Sequence, residues 1–214
     1  MGGKTSKQLL EINGSPVLAH TLLAFQKAKC IDEIVIVARA EDISAIWALA
    51  EQYGITKVKE ITKGGDTRAA SVRRGFRLID VKSRFVAIHD GARCLITPEQ
   101  IKKVCRTAYR LRAATAASPV TDTVKLSTKR RYIDKTVDRD LVWLVQTPQV
   151  FHADLYRAAL AKVDDDRITD DNQLMERVHH PVKLVDTGKD NLKITTPDDI
   201  ARAEFILAQR EVQK

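Results

Sequence analysis

The amino-acid sequence predicts one α/β domain built around a mostly parallel β-sheet. Apolar runs of strand length alternate along the chain with segments of helical periodicity, which is the pattern of such domains. The 214 residues, 44% of them hydrophobic, are enough for one sizeable core. Neither an internal repeat nor a low-complexity run divides the chain, so we expect a single domain over residues 1–214.

The N-terminal part is predicted to form, in order, a strand over Leu9 to Ile12, a helix over Ser15 to Phe25, a strand over Glu33 to Ala38 and a helix over Asp42 to Tyr53. Asn13-Gly14 reads as the first turn. Ser15 and Pro16 suit the N-cap and the first helical position. Gly54 is expected to end the second helix.

The later elements are predicted as a strand over Phe85 to His89, a helix after Thr97, strands over Val182 to Val185 and Leu192 to Thr195, and a final amphipathic helix from Thr196-Pro197. Thr97 and Gln100 have the spacing of a capping box, in which each side chain bonds to the other residue's backbone N–H. We expect helices to cover both faces of the sheet.

One segment departs from the alternation. Two β-prone runs, Asp122 to Leu126 and Tyr132 to Val137, are joined by a polar, basic connector, which favours a β-hairpin. A hairpin alone is marginally stable in water and needs another surface to lie on. We therefore expect an arm at about 121–141 that packs against a second subunit.

Composition argues against several classes of protein. No stretch approaches the roughly 20 apolar residues that span a bilayer, and the N-terminus lacks the apolar run of a signal peptide, so we expect a cytoplasmic protein without membrane contact. Cys30, Cys94 and Cys105 form no Cys-x-x-Cys pair, which favours buried thiols in a reducing compartment. The charge of +8 is spread along the chain and only 5% of residues are aromatic, so a polyanionic small molecule explains the basic excess as well as RNA does. We expect no nucleic-acid partner.

Two glycine-rich stretches suggest contact with anions. The opening MGGKTSKQL places Gly2, Gly3 and Lys7 in what looks like the end of a phosphate-cradling loop. Such loops normally follow a strand, and no strand comes before this one in the sequence.

The second stretch is GGDTRAAS, after a predicted strand around Lys63. Gly64 and Gly65 let the backbone approach a ligand closely, and Asp66 is expected to cap the following helix, with Arg68 and Ser71 on its first turns. An ordinary glycine turn with a surface arginine is the alternative.

Charged residues follow predicted strand ends, where α/β sheets bind ligands. Asp90 in HDGAR can hold Mg²⁺ beside substrate phosphates, and Arg93 can fork onto a phosphate, although the two residues can also simply neutralise each other. Asp190 is the other acidic candidate. Lys193 and Thr195 would share one strand face, and a lysine in a buried crevice needs a charge to meet.

Other polar residues are weaker candidates. His20 is expected to be packed in a helix, and His179-His180 lacks partners for a zinc site. No cysteine or serine has a recognisable base partner, so covalent catalysis is not supported. Asp164-Asp165-Asp166 looks like a solvated loop, and Thr169-Asp170-Asp171 can begin a helix near the site.

Seven segments in one order resemble 2-C-methyl-D-erythritol 4-phosphate cytidylyltransferases of the non-mevalonate isoprenoid pathway: SKQLLEINGSPVLAHTLLAF, GGDTRAASV, IHDGARCLIT, PVTDTVK, TVDRDLVWLVQTPQVF, ITDD and DNLKITTPDD. The resemblance covers essentially the whole chain. It implies a Rossmann-like nucleotidyltransferase fold and a homodimer with an interlocking β-arm. It also implies Mg²⁺-dependent transfer of a cytidylyl group from CTP to the polyol phosphate, with release of pyrophosphate.

The resemblance also implies roles for individual residues. The catalytic lysines are Lys7 and Lys193. The CTP-binding residues are Gly2, Gly3, Gly64, Gly65, Asp66, Arg68, Ser71, Asp90 and Ala92. The polyol phosphate is bound by Arg93, Thr123, Arg139, Thr147 and Asp190, of which Thr123 and Arg139 reach from the arm into the neighbouring subunit's site. Asp90 and Asp190 are the metal ligands.

The chain departs from the family pattern at its start. The family has a strand and a glycine-rich loop, with a catalytic arginine, before the residue that matches Met1, so we expect the given chain to begin inside that loop. Cys94 stands where the family usually has proline, and Thr5-Ser6 stands where a proline is common.

Three alternatives stay open. A pentitol phosphate cytidylyltransferase, acting for example on ribitol 5-phosphate, shares most of these motifs. The absent loop makes a catalytically impaired CTP-binding homologue a second alternative. A basic RNA-binding module is the third.

Overall fold

A computed structural model of the chain describes residues 6–163 and 168–212. The predicted roles of Gly2 and Gly3, and the predicted loop at 164–166, lie outside these residues. The elements in chain order are β1 Glu11–Ile12, β2 Ser15–Pro16, α1 Val17–Lys27, β3 Ile34–Ala38, α2 Ile43–Gln52, β4 Val58–Lys63, α3 Arg68–Phe76, β5 Phe85–Ile88, α4 Pro98–Leu111, β6 Ala113–Pro119, β7 Lys125–Ser127, β8 Ile133–Thr136, β9 Trp143–His152, α5 Ala153–Lys162, α6 Asn172–Arg177, β10 Lys183–Asp186 and α7 Pro197–Val212.

The largest sheet has the strand order β10-β6-β9-β5. Strand β10 pairs with β6 in parallel, whereas β9 runs antiparallel to both β6 and β5, so three of the four strands point the same way. Strands β3 and β4 form a separate parallel pair. The prediction of an α/β fold with a mostly parallel sheet is confirmed.

A slot separates the two parallel systems. Within the described residues β3 pairs only with β4, and β5 pairs only with β9, so each strand keeps one unpaired edge. Both strands line one cavity of about 1200 Å³. At the carboxyl ends of the two strands this slot reaches Arg68, Ser71 and Asp90.

The core lies on both faces of the four-stranded sheet, as predicted. Because side chains alternate along a strand, Ala114 and Val150 pack with α1 and α4 on one face, whereas Ala113 and Phe151 pack with α5 and α6 on the other. The sheet is therefore a firm platform for the residues that follow its strands.

Most predicted boundaries agree with the structure, and two predictions are wrong. The predicted capping box of α4 is present, with Thr97 as the N-cap residue. Ser15 is not a helix cap, because Ser15–Pro16 pairs with β1 and α1 begins at Val17. Leu192 to Thr195 forms no strand, and this stretch is joined to the loop after β5 by one backbone hydrogen bond, from Ile194 N to Ala92 O.

The predicted hairpin is present. Strands β7 and β8 pair antiparallel as a sheet of their own, and all seven of their residues are exposed. Leu126, Tyr132 and Ile133 are large apolar side chains at 45%, 71% and 68% exposure. Among the described residues no helix has the length and apolar character that crossing a membrane requires.

Candidate active site at the strand ends

The loop after β5, His89 to Arg93, is fixed from beneath by an uncharged histidine. Burial lowers the pKa of the His89 imidazole to about 4. Its Nε2 lies 3.3 Å from the Arg93 carbonyl oxygen and therefore carries the proton, which leaves Nδ1 to accept from the Thr147 hydroxyl at 3.0 Å. Thr147 Oγ1 in turn accepts the backbone N–H of Asp90 at 3.0 Å. Strand β9 thus holds the start of the loop in place.

Asp90 lies between two cations. Lys193 Nζ is 3.1 Å and Arg93 Nε is 3.3 Å from its Oδ2 atom. Burial alone raises the pKa of the Asp90 carboxyl, but Lys193 and Arg93 outweigh burial and hold that pKa below its usual range. Asp90 is therefore charged at neutral pH.

The segment that carries Lys193 is held by its neighbours on both sides. Arg93 Nη1 donates to the Asn191 carbonyl at 2.9 Å, and Ile194, only 2% exposed, donates its N–H to Ala92 O at 2.8 Å. The fully buried Asn191 amide donates to Thr147 O at 2.8 Å. These contacts place Lys193 beside Asp90 although no strand carries it.

A polar cavity of about 400 Å³ opens beside this cluster. Its lining includes three cationic side chains, two carboxylates and several hydroxyl and amide groups. The lining residues are Arg68, Asp90, Arg93, Val145, Gln146, Thr147, Gln149, Thr169, Asp170, Gln173 and Lys193. A concave, partly desolvated set of cations is suited to phosphate oxygens.

The glycine stretch before α3 is packed tightly against that helix. A Cβ on Gly65 would lie 2.6 Å from Ala70 Cβ, so the close approach that this glycine permits is to α3. The Ser71 hydroxyl accepts the Gly65 N–H at 3.0 Å and donates to Thr67 O. The prediction that Asp66 caps α3 is wrong, because Thr67 is the N-cap residue and its Oγ1 accepts from Ala70 N.

Arg68 lines both the slot and the polar cavity. Its Nη2 atom donates to Asp171 Oδ2 at 2.6 Å. Burial opposes the charged form, but Asp171 outweighs it and raises the pKa of Arg68. The Nη1 atom is buried and has no hydrogen-bond partner within the described residues.

Sequence reasoning missed the residues behind Arg68. Asp171, 2% exposed, also accepts the Tyr156 hydroxyl at 2.6 Å, and its backbone N–H donates to Gln149 Oε1 at 2.9 Å. Gln149 stands two residues after Thr147 in the QTPQ stretch, which was its only signal in the sequence. Tyr156 had none.

Several predicted site residues lie outside the polar cavity. Lys7 is exposed, and its Nζ atom lies 3.4 Å from the Thr195 carbonyl, two residues beyond Lys193. Thr123 and Arg139 are exposed on the arm segment. The Asp190 carboxylate is 59% exposed and lies 3.9 Å from Arg210 Nη2.

The structure offers no preformed metal cage. Among the described residues no group of three or more histidines, cysteines, aspartates and glutamates is placed to hold a metal ion. His20 instead bonds the Ile12 carbonyl at 2.9 Å, as expected of a packed histidine. A metal here would take most of its ligands from elsewhere than the protein.

Comparison with known proteins gives one consistent match. A model of the family "IspD: 2-C-methyl-D-erythritol 4-phosphate cytidylyltransferase" matches residues 1–209. Proteins of that name from Syntrophus aciditrophicus and Microcystis aeruginosa are 42% and 40% identical to this chain. The alignments cover 99% and 98% of this chain and 92% and 94% of the relatives.

The fold has the same relatives. The crystal structure of 4-diphosphocytidyl-2C-methyl-D-erythritol synthase from Anaerococcus prevotii superimposes with a TM-score of 0.86 at 34% identity, covering 92% of this chain and 88% of that one. A 2-C-methyl-D-erythritol 4-phosphate cytidylyltransferase from Thermus thermophilus gives a TM-score of 0.75 at 29% identity, with 94% of each chain covered.

Proposed function

The chain belongs to the 2-C-methyl-D-erythritol 4-phosphate cytidylyltransferase family, and from that premise we propose how its residues act in the family's reaction. In that reaction a cytidylyl group passes from CTP to 2-C-methyl-D-erythritol 4-phosphate, and pyrophosphate is released. The single observation that supports our assignment of roles is the set of cations, Arg68, Arg93 and Lys193, around one polar cavity at the strand ends.

The chemistry requires alignment and charge neutralisation rather than a protein nucleophile. A phosphate oxygen of the polyol phosphate attacks the α-phosphorus of CTP, and the bond from that phosphorus to the bridging oxygen of pyrophosphate breaks. Negative charge is carried by the equatorial oxygens during transfer, so fixed cations near them lower the barrier. Lys193 and Arg93 are proposed to meet the phosphates, and Lys7 to approach them from the N-terminal side.

The fixed loop after β5 supports this assignment. Because the neutral His89 and Thr147 hold the backbone of Asp90, the Asp90 carboxylate is ready to orient Lys193 and Arg93. Cations that are already oriented need little rearrangement when substrate arrives, and this preorganisation is the main source of their catalytic effect.

We propose Mg²⁺ as the metal and Asp90 as the carboxylate that holds it. Mg²⁺ is commonly bound by only one or two carboxylates together with substrate phosphates, so a site with one charged carboxylate fits this ion. When bound, the ion neutralises charge on the phosphates. Asp190, which the resemblance also predicts as a ligand, lies beside Arg210 in the single chain.

The arm is proposed to act in a homodimer. Its strands expose Leu126 and Ile133, which need a covering surface, and Thr123 and Arg139 lie beside it, outside the chain's own polar cavity. Docking of the arm on a second copy would cover the apolar side chains and allow Thr123 and Arg139 to enter the partner's site.

Two polyol phosphates assayed side by side test the proposed function. With CTP and Mg²⁺, we expect pyrophosphate release with 2-C-methyl-D-erythritol 4-phosphate to exceed that with ribitol 5-phosphate. A preference for ribitol 5-phosphate would contradict the assigned substrate. Calorimetric binding of CTP·Mg²⁺ without any turnover would instead favour the impaired homologue.

A further inference from the structure

We propose that Asp171, supported by Tyr156 and Gln149, is a positioning residue that aims Arg68 at a phosphate oxygen of a bound substrate. The inference rests on the proposed function and extends it to residues remote in sequence. It assigns to Arg68 a contact through Nη1, the guanidinium atom that the protein leaves without a partner.

The Arg68 guanidinium is used on one side only. Nη2 is bonded to Asp171 at 2.6 Å, whereas Nη1 is buried and unpaired among the described residues. A buried donor without an acceptor costs about 1–3 kcal/mol. Since Arg68 lines the polar cavity, an acceptor oxygen on a bound substrate is the group that would remove this cost.

Asp171 is held more rigidly than a neutralising counter-ion needs to be. Its Oδ1 atom accepts from Tyr156, whose ring stacks on Phe151, and its backbone N–H donates to Gln149. The Gln149 amide then donates to Asp170 Oδ2 at 3.0 Å. Groups from β9, α5 and the start of α6 therefore all fix the direction in which Asp171 points.

Stability alone is a weak explanation for this arrangement. The side chain of Asp171 is 3% exposed, and the desolvation cost of a buried ion pair often cancels its attraction. The same pair is well suited to orientation, because Arg68 stands on the first turn of α3 and reaches across to α6 at the edge of the cavity. Without Asp171 the guanidinium would be free to turn away from the substrate.

A double-mutant cycle between Arg68→Ala and Asp171→Asn tests the proposal, with kcat and KM measured for CTP and for 2-C-methyl-D-erythritol 4-phosphate. Each single variant is expected to lose roughly ten- to hundredfold in kcat/KM, the range for a hydrogen bond to a charged group. The double variant should lose no more than Arg68→Ala alone, because Asp171 acts through Arg68. Independent, multiplying losses would overturn the positioning role.

Tyr156→Phe gives a second cycle that removes one hydroxyl and keeps the stacked ring. It should weaken the reaction in the same direction by roughly threefold to tenfold, and have no effect when Arg68 is already alanine. Asp154→Asn and Tyr109→Phe are matched controls, since they remove an exposed ion pair with Arg157 and a hydroxyl bond to the Cys30 carbonyl. Both controls should keep the parent kcat/KM.

The result is separable from the proposed function. If Lys193→Ala abolishes transfer while Arg68→Ala leaves kcat/KM unchanged, the function stands and the inference fails. If the parent chain does not turn over, the same cycles are measured by calorimetry with CTP and with the polyol phosphate. Non-additive losses of affinity would then support the positioning role, and unchanged affinity in Arg68→Ala would contradict it.

Discussion

Replacing Lys193 with alanine should separate catalysis from stability. Lys193 Nζ lies 3.1 Å from Asp90 Oδ2, where two unit charges attract by about 1.3 kcal/mol in water and about 5 kcal/mol at an effective dielectric constant of 20. The Lys193 side chain is 47% exposed, so water screens the pair and its net contribution to folding should be at most about 1 kcal/mol.

The catalytic effect of the same change should be much larger. Removing one preorganised donor from a charged transition state costs about 3–4 kcal/mol, which is roughly a hundred- to thousandfold in kcat. We therefore expect Lys193→Ala to keep its urea midpoint nearly unchanged while cytidylyl transfer, followed by pyrophosphate release, falls by that factor.

A matched control makes the comparison sharp. Lys103 is an exposed lysine on α4 that bonds only to the Asp186 carbonyl at 2.6 Å, so Lys103→Ala should change neither quantity appreciably. If Lys193→Ala turned over within about tenfold of the parent, or lost activity only in proportion to unfolded protein, the proposed role of Lys193 would be refuted.

Three further predictions follow from contacts around the site. His89 has a folded pKa of about 4 against an ordinary value of 6.5, so its contribution to stability is complete above pH 6.5 and is lost as the pH falls to 4; urea unfolding should show up to about 1.4 kcal/mol lost per pH unit, a slope that His89→Gln reduces. Asp199 accepts the backbone N–H groups of Thr195 and Thr196 at 2.8 Å each, so Asp199→Ala should cost about 0.5–2 kcal/mol in thermal or urea unfolding, and an unchanged midpoint would contradict the capping role. Replacing residues 122–138 with a short glycine-serine loop should convert a dimer to a monomer in sedimentation and reduce transfer, whereas a parent chain that sediments as a monomer would refute the role of the arm.

The fold was predictable wherever local chemistry decides the structure. Thr97 and Gln100 have no competing cap nearby, and their capping box was correctly predicted. Asp66 and Thr67 are both good caps, and only the packing of Gly65 against Ala70 places the helix start after the threonine.

Other features depend on contacts that no local pattern contains. The alternating residues of Leu192 to Thr195 resemble a strand, but no strand edge lies beside them, so their position is set by Asn191 and Ile194. Asp90, Arg93 and Lys193 were predictable because polar residues follow strand ends. The pair of Arg68 and Asp171 joins positions 103 residues apart and could be found only in three dimensions.

The most direct test of the proposed chemistry is a product analysis of the 214-residue chain with CTP, 2-C-methyl-D-erythritol 4-phosphate and Mg²⁺. If the cations at the strand ends align the two substrates for in-line transfer, one pyrophosphate should form for each cytidylylated polyol, and Lys193→Ala should lower both products together. CTP consumption without the cytidylylated polyol, or equal product formation by Lys193→Ala, would contradict it.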